Sequence, residues 1–255
     1  MRVKILGNGG AINNGLFYNA FIIDQTLVCE TPPDIMLSLH KNGIDIASIK
    51  TIYISHLHGD HTFGLPFLML SAFFRHFKKG ESLSFTIVGL EGLEEMARSL
   101  AISALGADHP CLKWMNEFCT FVEIDESSHP DILPGYQVSF FKLNHLIDTF
   151  GFALGKDDRV EFVYVADTVW CESIATVLDS RPQAVLIDLN GQDDDPDRVH
   201  LSMSDLKQKA LPITGQDTQY YGTHLVNEFT STVPGIQCAR PGMVISLGKS
   251  NRAGR

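Results

Sequence analysis

No C-x-x-C pair occurs in this chain, and its five cysteines, Cys29, Cys111, Cys119, Cys171 and Cys238, are odd in number and widely scattered. That pattern excludes a dense disulfide scaffold and a sulfur-rich zinc module, and it reads as reduced thiols. No apolar run reaches the roughly 18–20 residues a membrane span needs. The N-terminal MRVKILGNGG also lacks the apolar core of a secretory signal, so a cytoplasmic location is expected, with no membrane partner. Positive charge is scarce: 20 Lys and Arg stand against 30 Asp and Glu, a formal net charge of −10. Such a field repels polyanions and disfavours non-specific nucleic-acid binding. The one basic cluster, Arg75, His76, Lys78 and Lys79, reads as a solvated helix end with its cations at the negative pole of the dipole. Linkers of low complexity and internal repeats are absent as well. One domain over 1–250 with a flexible tail at 251–255 is therefore expected.

What is present is a hydrophobic fraction of 44%, ordinary for a protein that buries a large core. Short β-branched and aromatic runs alternate with helical patterns. They predict strands over 3–6, 20–23, 26–29, 51–55, 85–88, 120–124, 137–143, 151–154, 161–165, 184–187 and 243–247. Helices are predicted over 33–42, 65–77, 93–105, 172–179 and 203–210, the last opened by an S-x-x-D cap from Ser202 to Asp205. The stretch 108–134, punctuated by His109-Pro110, His129-Pro130 and Leu133-Pro134, is expected to be mostly loop. So many strands need two sheets. Hairpins first and helix-separated strands later suggest two mixed β-sheets face to face with helices outside, an α/β four-layer αββα sandwich.

The chemistry concentrates in Ser55-His56-Leu57-His58-Gly59-Asp60-His61, between a predicted strand and an apolar helix. In an extended segment His56 and His58 point to one side and can share a metal. Gly59 is expected to turn the chain, so that Asp60 and His61 face a second metal with one oxygen and one nitrogen. Chance produces this pattern on the order of once per thousand chains. A structural zinc site is disfavoured, because such sites are closed and sulfur-rich and no cysteine lies near the cluster.

H-x-H-x-D-H after a strand resembles the signature of the metallo-β-lactamase superfamily, and the remaining elements follow in order. His145 in LNHLIDTFGF, Asp167 in VYVADT and His224 in YGTHL match the superfamily's third histidine, bridging aspartate and terminal histidine. Ala239-Arg240-Pro241-Gly242-Met243 resembles its closing segment. The resemblance implies the metallo-β-lactamase-like αββα fold and a hydrolase with two divalent metal ions. His56, His58 and His145 would hold one, Asp60, His61 and His224 the other, and Asp167 would bridge them. Zinc comes first, with manganese, iron and nickel also suited to such N/O donors. Paired cations lower the pKa of a shared water and supply a bridging hydroxide, and Asp60 counts as catalytic as well as ligating. One position departs from the pattern: Glu30 stands where the superfamily usually carries an Asp that shapes the site, and Glu30 is not assigned as a ligand.

Two features resemble the RNase Z-like, phosphodiesterase-like branch. His145 is followed by Gly151-Phe152 in an H-x5-G-[FY] arrangement, and Val199-His200-Leu201-Ser202 matches an element whose histidine protonates a leaving group. His200 is therefore the second catalytic candidate. The opening Gly7-Asn8-Gly9-Gly10 is also RNase Z-like and is no dinucleotide fingerprint. The substrate expected is a small molecule, an anionic phosphodiester. Precursor tRNA is disfavoured because only residues 146–166 separate His145 from Asp167, which leaves no room for the inserted tRNA-binding arm. A homodimer is compatible with the sequence. The acidic run Asp193–Asp197 reads as a solvated loop. The alternatives are a lactone, thioester or β-lactam hydrolase on the same centre and a catalytically silent metal-binding accessory protein. An oxidoreductase of the flavodiiron kind is disfavoured by His58.

Overall fold

In a computed structural model, whose described residues are 1–248, period-two alternation decides which side chains face which core. On β1 (Arg2–Gly7), β2 (Ala20–Ile23), β3 (Leu27–Cys29) and β4 (Thr51–Tyr53), the side chains of Val3, Ile5, Phe21, Ile23, Leu27, Cys29 and Tyr53 point into one cluster. Leu6, Ile22, Val28 and Ile52 point into another. The first cluster lies between two sheets. The second lies between the first sheet and its helices, among them Leu65–Lys79, Leu93–Leu105 and Pro110–Phe118.

The remaining strands are β5 (Phe85–Gly89), β6 (Cys119–Glu123), β7 (Gln137–Lys142), β8 (Phe150–Lys156), β9 (Arg159–Val165), β10 (Ala184–Asp188), β11 (Gln219–Thr223), β12 (Ile236–Cys238) and β13 (Val244–Ser246). They form a seven-stranded sheet in the order β13-β1-β2-β3-β4-β5-β6 and a six-stranded sheet in the order β12-β11-β10-β9-β8-β7. Both are mixed: β3 to β6 pair in parallel, as do β9 to β12, while the hairpins pair antiparallel. The expected four-layer sandwich is the observed one.

Three details differ from the sequence reading. The stretch 108–134 is not mostly loop. A proline at the first helical position loses nothing, because its missing N–H had no partner there, and His109 caps Pro110–Phe118 by accepting from the Cys111 N–H. Strands β11 and β12 had no counterpart, for QYYGT contains a glycine and lacks alternation. A side chain at Gly222 would meet the Phe229 ring at 2.9 Å. Gly59 does not make a turn but begins the short helix Gly59–Thr62; it is small because the Phe63 ring lies 2.5 Å from where a Cβ would be. The Ser202–Asp205 capping box forms as expected. The tail assigned to 251–255 lies outside the described residues. None of the five cysteines is paired, and among the described residues no helix is long and apolar enough to cross a membrane.

Because β3, β4, β7, β9, β10 and β11 all end at one edge of the sandwich, the residues just after them are brought together. Carboxyl ends of strands are where open α/β sheets bind ligands. A cavity of about 940 Å³ lies elsewhere: it is lined by Tyr136, Gln137, Lys156 and Arg159, at the opposite ends of β7, β8 and β9.

Candidate metal centre

His56 and His58 follow β4, His145 follows β7, Asp167 follows β9, and His224 directly follows β11. Asp60 and His61 sit on the Gly59–Thr62 helix, whose register is set by His61 N–H and Thr62 Oγ1 bonding to the His58 carbonyl. Ligand atoms of His56, His58 and His145 lie within 4.8 Å of one another, and so do those of Asp60, His61, Asp167 and His224. The spacing is tight: His56 Nε2 is 3.1 Å and His145 Nε2 3.4 Å from His58 Nδ1, and His61 Nε2 is 3.4 Å from His224 Nε2. The Asp167 carboxylate stands between the groups, with Oδ2 3.8 Å from His56 Nε2 and 3.2 Å from His224 Nε2, and Oδ1 3.5 Å from His61 Nε2. All seven sequence-predicted metal residues are thus in one cluster.

The outer nitrogens explain how the rings are held. His145 Nδ1 donates to the Val199 carbonyl at 3.2 Å, His56 Nδ1 meets Ser55 Oγ at 3.0 Å, and His224 Nδ1 lies 3.7 Å from Asp188. His61 Nδ1 lies 3.3 Å from Glu30 Oε2, in a geometry short of a proper hydrogen bond. Fixing one ring nitrogen this way frees the other as a lone-pair donor pointing inward. Converging lone pairs repel unless a cation or proton sits among them, and the buried Asp167 Oδ1 has no hydrogen-bond partner. The donor set therefore fits divalent metal.

The charge distribution is uneven. Burial, aided by neighbouring imidazoles, lowers the pKa values of His56 and His145, holding them neutral. At His61 burial acts in the same sense, but the Asp167 and Glu30 carboxylates outweigh it and raise the pKa. His224 is pushed up to about 10, burial being overcome by Asp167, Asp188 and Asp60. Burial would raise the pKa values of Asp60 and Asp167, yet the facing histidines hold both well below the usual carboxylate range. Three imidazoles make one half of the site and carboxylates dominate the other.

His200 adjoins this cluster, its ring centroid 5.4 Å from that of His145 and 5.1 Å from that of His224, and it forms a third group of ligand atoms within 4.8 Å of one another with Asp167, Asp188 and His224. Its Nδ1 donates to Asp188 Oδ2 at 2.8 Å, and its side chain is 19% exposed, so solvent reaches it. Asp188 was missed in the sequence. It is wholly buried at the end of β10 and also accepts from the Thr168 and Asn190 backbone N–H groups. The signal available was VLID, a buried strand ending in a carboxylate beside the similar VYVAD. Gly151-Phe152 packs rather than reacts: a Cβ at Gly151 would strike the Phe141 ring at 2.5 Å, and Phe152 is buried between Tyr53 and Phe21.

Residues 1–228 match a family model described as anti-Pycsar protein Apyc1. The chain belongs to that family. It also resembles ribonuclease Z of Staphylococcus carnosus, with 34% identity over 113 residues, 44% of this chain and 33% of that one. The match thus spans about a third of the curated relative's length. Among solved structures it is similar to the metallo-β-lactamase fold protein YhfI of Bacillus subtilis, with a TM-score of 0.75 and 14% identity over 97% of this chain and 99% of that one. Human tRNase Z, short form, aligns with a TM-score of 0.72 and 20% identity over 98% and 100%. The expected fold and the RNase Z-like resemblance are both present.

Proposed function

We propose that this chain is a metal-dependent hydrolase of a small anionic phosphodiester, cyclic or nucleotide-like, with two divalent cations and with His200 as proton donor. The observation that carries the reading is the 2.8 Å bond from His200 Nδ1 to the buried Asp188 carboxylate, beside the metal cluster. His56, His58 and His145 would hold one cation, Asp60, His61 and His224 the other, and Asp167 both. Bound there, two divalent cations activate water and neutralise charge developing on a phosphoryl group. Asp188 keeps the proton of His200 on Nδ1 in the neutral ring and stabilises the imidazolium. The pKa of His200 is raised because Asp188 outweighs the opposing effect of burial. A protonated imidazole suits an alkoxide leaving group, which departs poorly unless protonated, whereas a thiolate needs no such help. The ribonuclease Z relatives are, by name, enzymes acting on RNA phosphodiesters, which favours the same bond type.

Small size is favoured by the segment between His145 and Asp167. Strands β8 and β9 fill it, joined by the tight Asp157-Asp158 turn, with no protruding arm. The test is a comparison of kcat/KM for cyclic nucleotides and bis-nitrophenyl phosphate against a lactone, a thioester and precursor tRNA. Phosphodiesters should lead by at least about tenfold, roughly 1.4 kcal/mol in the barrier. Efficient tRNA processing at physiological salt, or faster ester turnover, would overturn the assignment. Metal-loaded protein inert on every substrate would favour the accessory reading.

A further inference from the structure

Among the described residues, seven non-glycine residues have positive φ. Five, Asp24, Gln25, Asp157, Asp158 and Arg181, are on exposed turns, where such strain is relieved cheaply. The other two, Glu30 at +67° and His224 at +58°, are buried in the site. Strained buried residues persist only where their surroundings over-determine them.

A continuous hydrogen-bonded chain connects the two. Thr223, the residue before His224, bonds through Oγ1 to Asn19 Oδ1 at 2.7 Å. Asn19 Nδ2 donates to the Tyr164 hydroxyl at 2.9 Å, and Tyr164 donates to Glu30 Oε1 at 3.0 Å. The other oxygen, Glu30 Oε2, accepts from Ser55 N–H at 3.3 Å and faces His61 Nδ1. Asn19, Tyr164, Glu30 and Thr223 are all buried. The donors and acceptors run one way: the Tyr164 hydroxyl donates to Glu30 Oε1, its oxygen accepts from the Asn19 amide, and the amide oxygen accepts from Thr223 Oγ1. Glu30 and Asn19 belong to the first sheet's edge and Tyr164 and Thr223 to the second, so the chain crosses between the sheets three times.

We propose that Tyr164 is a positioning residue for the second cation: through Glu30 it fixes the His61 ring, and through Asn19 and Thr223 it fixes the backbone that presents His224. The inference rests on the two-cation reading of the site. The side chains of His56, His58 and His145 make no hydrogen bond to Asn19, Tyr164, Glu30 or Thr223, so apart from the shared Asp167 the first cation does not depend on this chain. The longer Glu30 is explained too, since it spans from β3 to reach Tyr164 and His61 at once.

The test is Tyr164→Phe, which removes one oxygen and leaves the ring packed at 4.8 Å against Phe21 and 5.7 Å against Phe152. Stepwise zinc binding is measured by chelator competition, with cobalt substitution to follow each site spectroscopically. Partners that orient metal ligands typically change affinity by about 10–100-fold. That loss is expected in the second equivalent alone, with the first unchanged and turnover restored by excess zinc. Unchanged constants for both equivalents, or equal weakening of both, would overturn the proposal. Thr223→Val probes the far end and should weaken the same equivalent, less strongly. If wild-type protein binds fewer than two equivalents, the two-cation reading falls and this inference with it. Two in the wild type and two undiminished in both variants refute the inference alone.

Discussion

Replacing His200 with alanine should separate proton donation from metal binding. His200 is assigned to neither cation: its Nδ1 is committed to Asp188 at 2.8 Å and lies 3.9 Å from Asp167. His200→Ala should therefore retain its full metal content. Loss of a positioned general acid typically costs about 10²–10⁴ in rate, or roughly 2.7–5.5 kcal/mol at about 1.36 kcal/mol per decade. That loss should appear in kcat for a cyclic nucleotide, whose leaving group is an alkoxide. It should shrink toward unity for a nitrophenyl phosphodiester, whose phenolate leaves without a proton. Asp188→Asn tests the same dyad from behind. A hydrogen bond to a charged group contributes about 1.5–3 kcal/mol, so a loss of roughly 10–150-fold is expected on the alkoxide substrate. The second metal should weaken as well, since Asp188 also stands 3.7 Å from His224. Steady-state kinetics on both substrates, with metal analysis of each preparation, decides the matter. Equal losses of His200→Ala on the two leaving groups would refute proton donation.

Asp60→Ala should remove the second cation ahead of the first, because Asp60 Oδ2 lies 3.1 Å from His224 and 3.5 Å from His61. Turnover should fall severely, and unchanged activity would show that Asp60 is not part of the centre. Gly64→Ala should destabilise the fold. Its Cβ would stand 2.0 Å from the Pro32 carbonyl and 2.5 Å from Ile35, an overpacking that costs about 1–3 kcal/mol. Thermal unfolding should show Tm lowered by roughly 2–12 °C, and a wild-type Tm would mean that the contact relaxes freely.

The metal ligands were legible because each imposes chemistry on one residue type at one place, directly after a strand. His56, His58, Asp60 and His61 announce themselves by spacing, and His145, Asp167 and His224 by their order behind it. The positioning groups were not legible for the opposite reason. Glu30, Asn19 and Tyr164 act through contacts across 134 to 204 positions in sequence, Asp188 acts on His200 12 positions away, and any buried strand can end in such residues. The fold was readable where alternation was long. It failed at β11 and β12, short strands whose place is set by neighbours in the parallel sheet. The helix after His109 was hidden by a proline that breaks helices in the interior and favours them at the start.

Salt dependence gives a further check on substrate size, because acids outnumber cations and several of the cations are paired with the chain's own acids. Arg75 is paired with Asp45 and Glu81, Arg98 with Glu94, Lys142 with Asp148, Arg240 with Glu228, and Asp205 takes both Arg198 and Lys209. The formal net charge of the chain is −10, so its long-range field is negative. A polyanion held by several Lys and Arg contacts loses affinity steeply as salt displaces them, by about 10³–10⁵ between 50 and 200 mM for six to ten phosphates. A small anion drawn only to the centre experiences the opposite long-range field. The protein's net charge repels it, and salt screens that repulsion within a Debye length of about 10 Å at 0.1 M. The kcat/KM for a cyclic nucleotide should therefore stay flat or rise by a few fold as monovalent salt goes from low to physiological concentration, with metal saturating throughout. A tenfold fall over that range would reveal several phosphate contacts, and the small-substrate reading would have to yield to a polyanion.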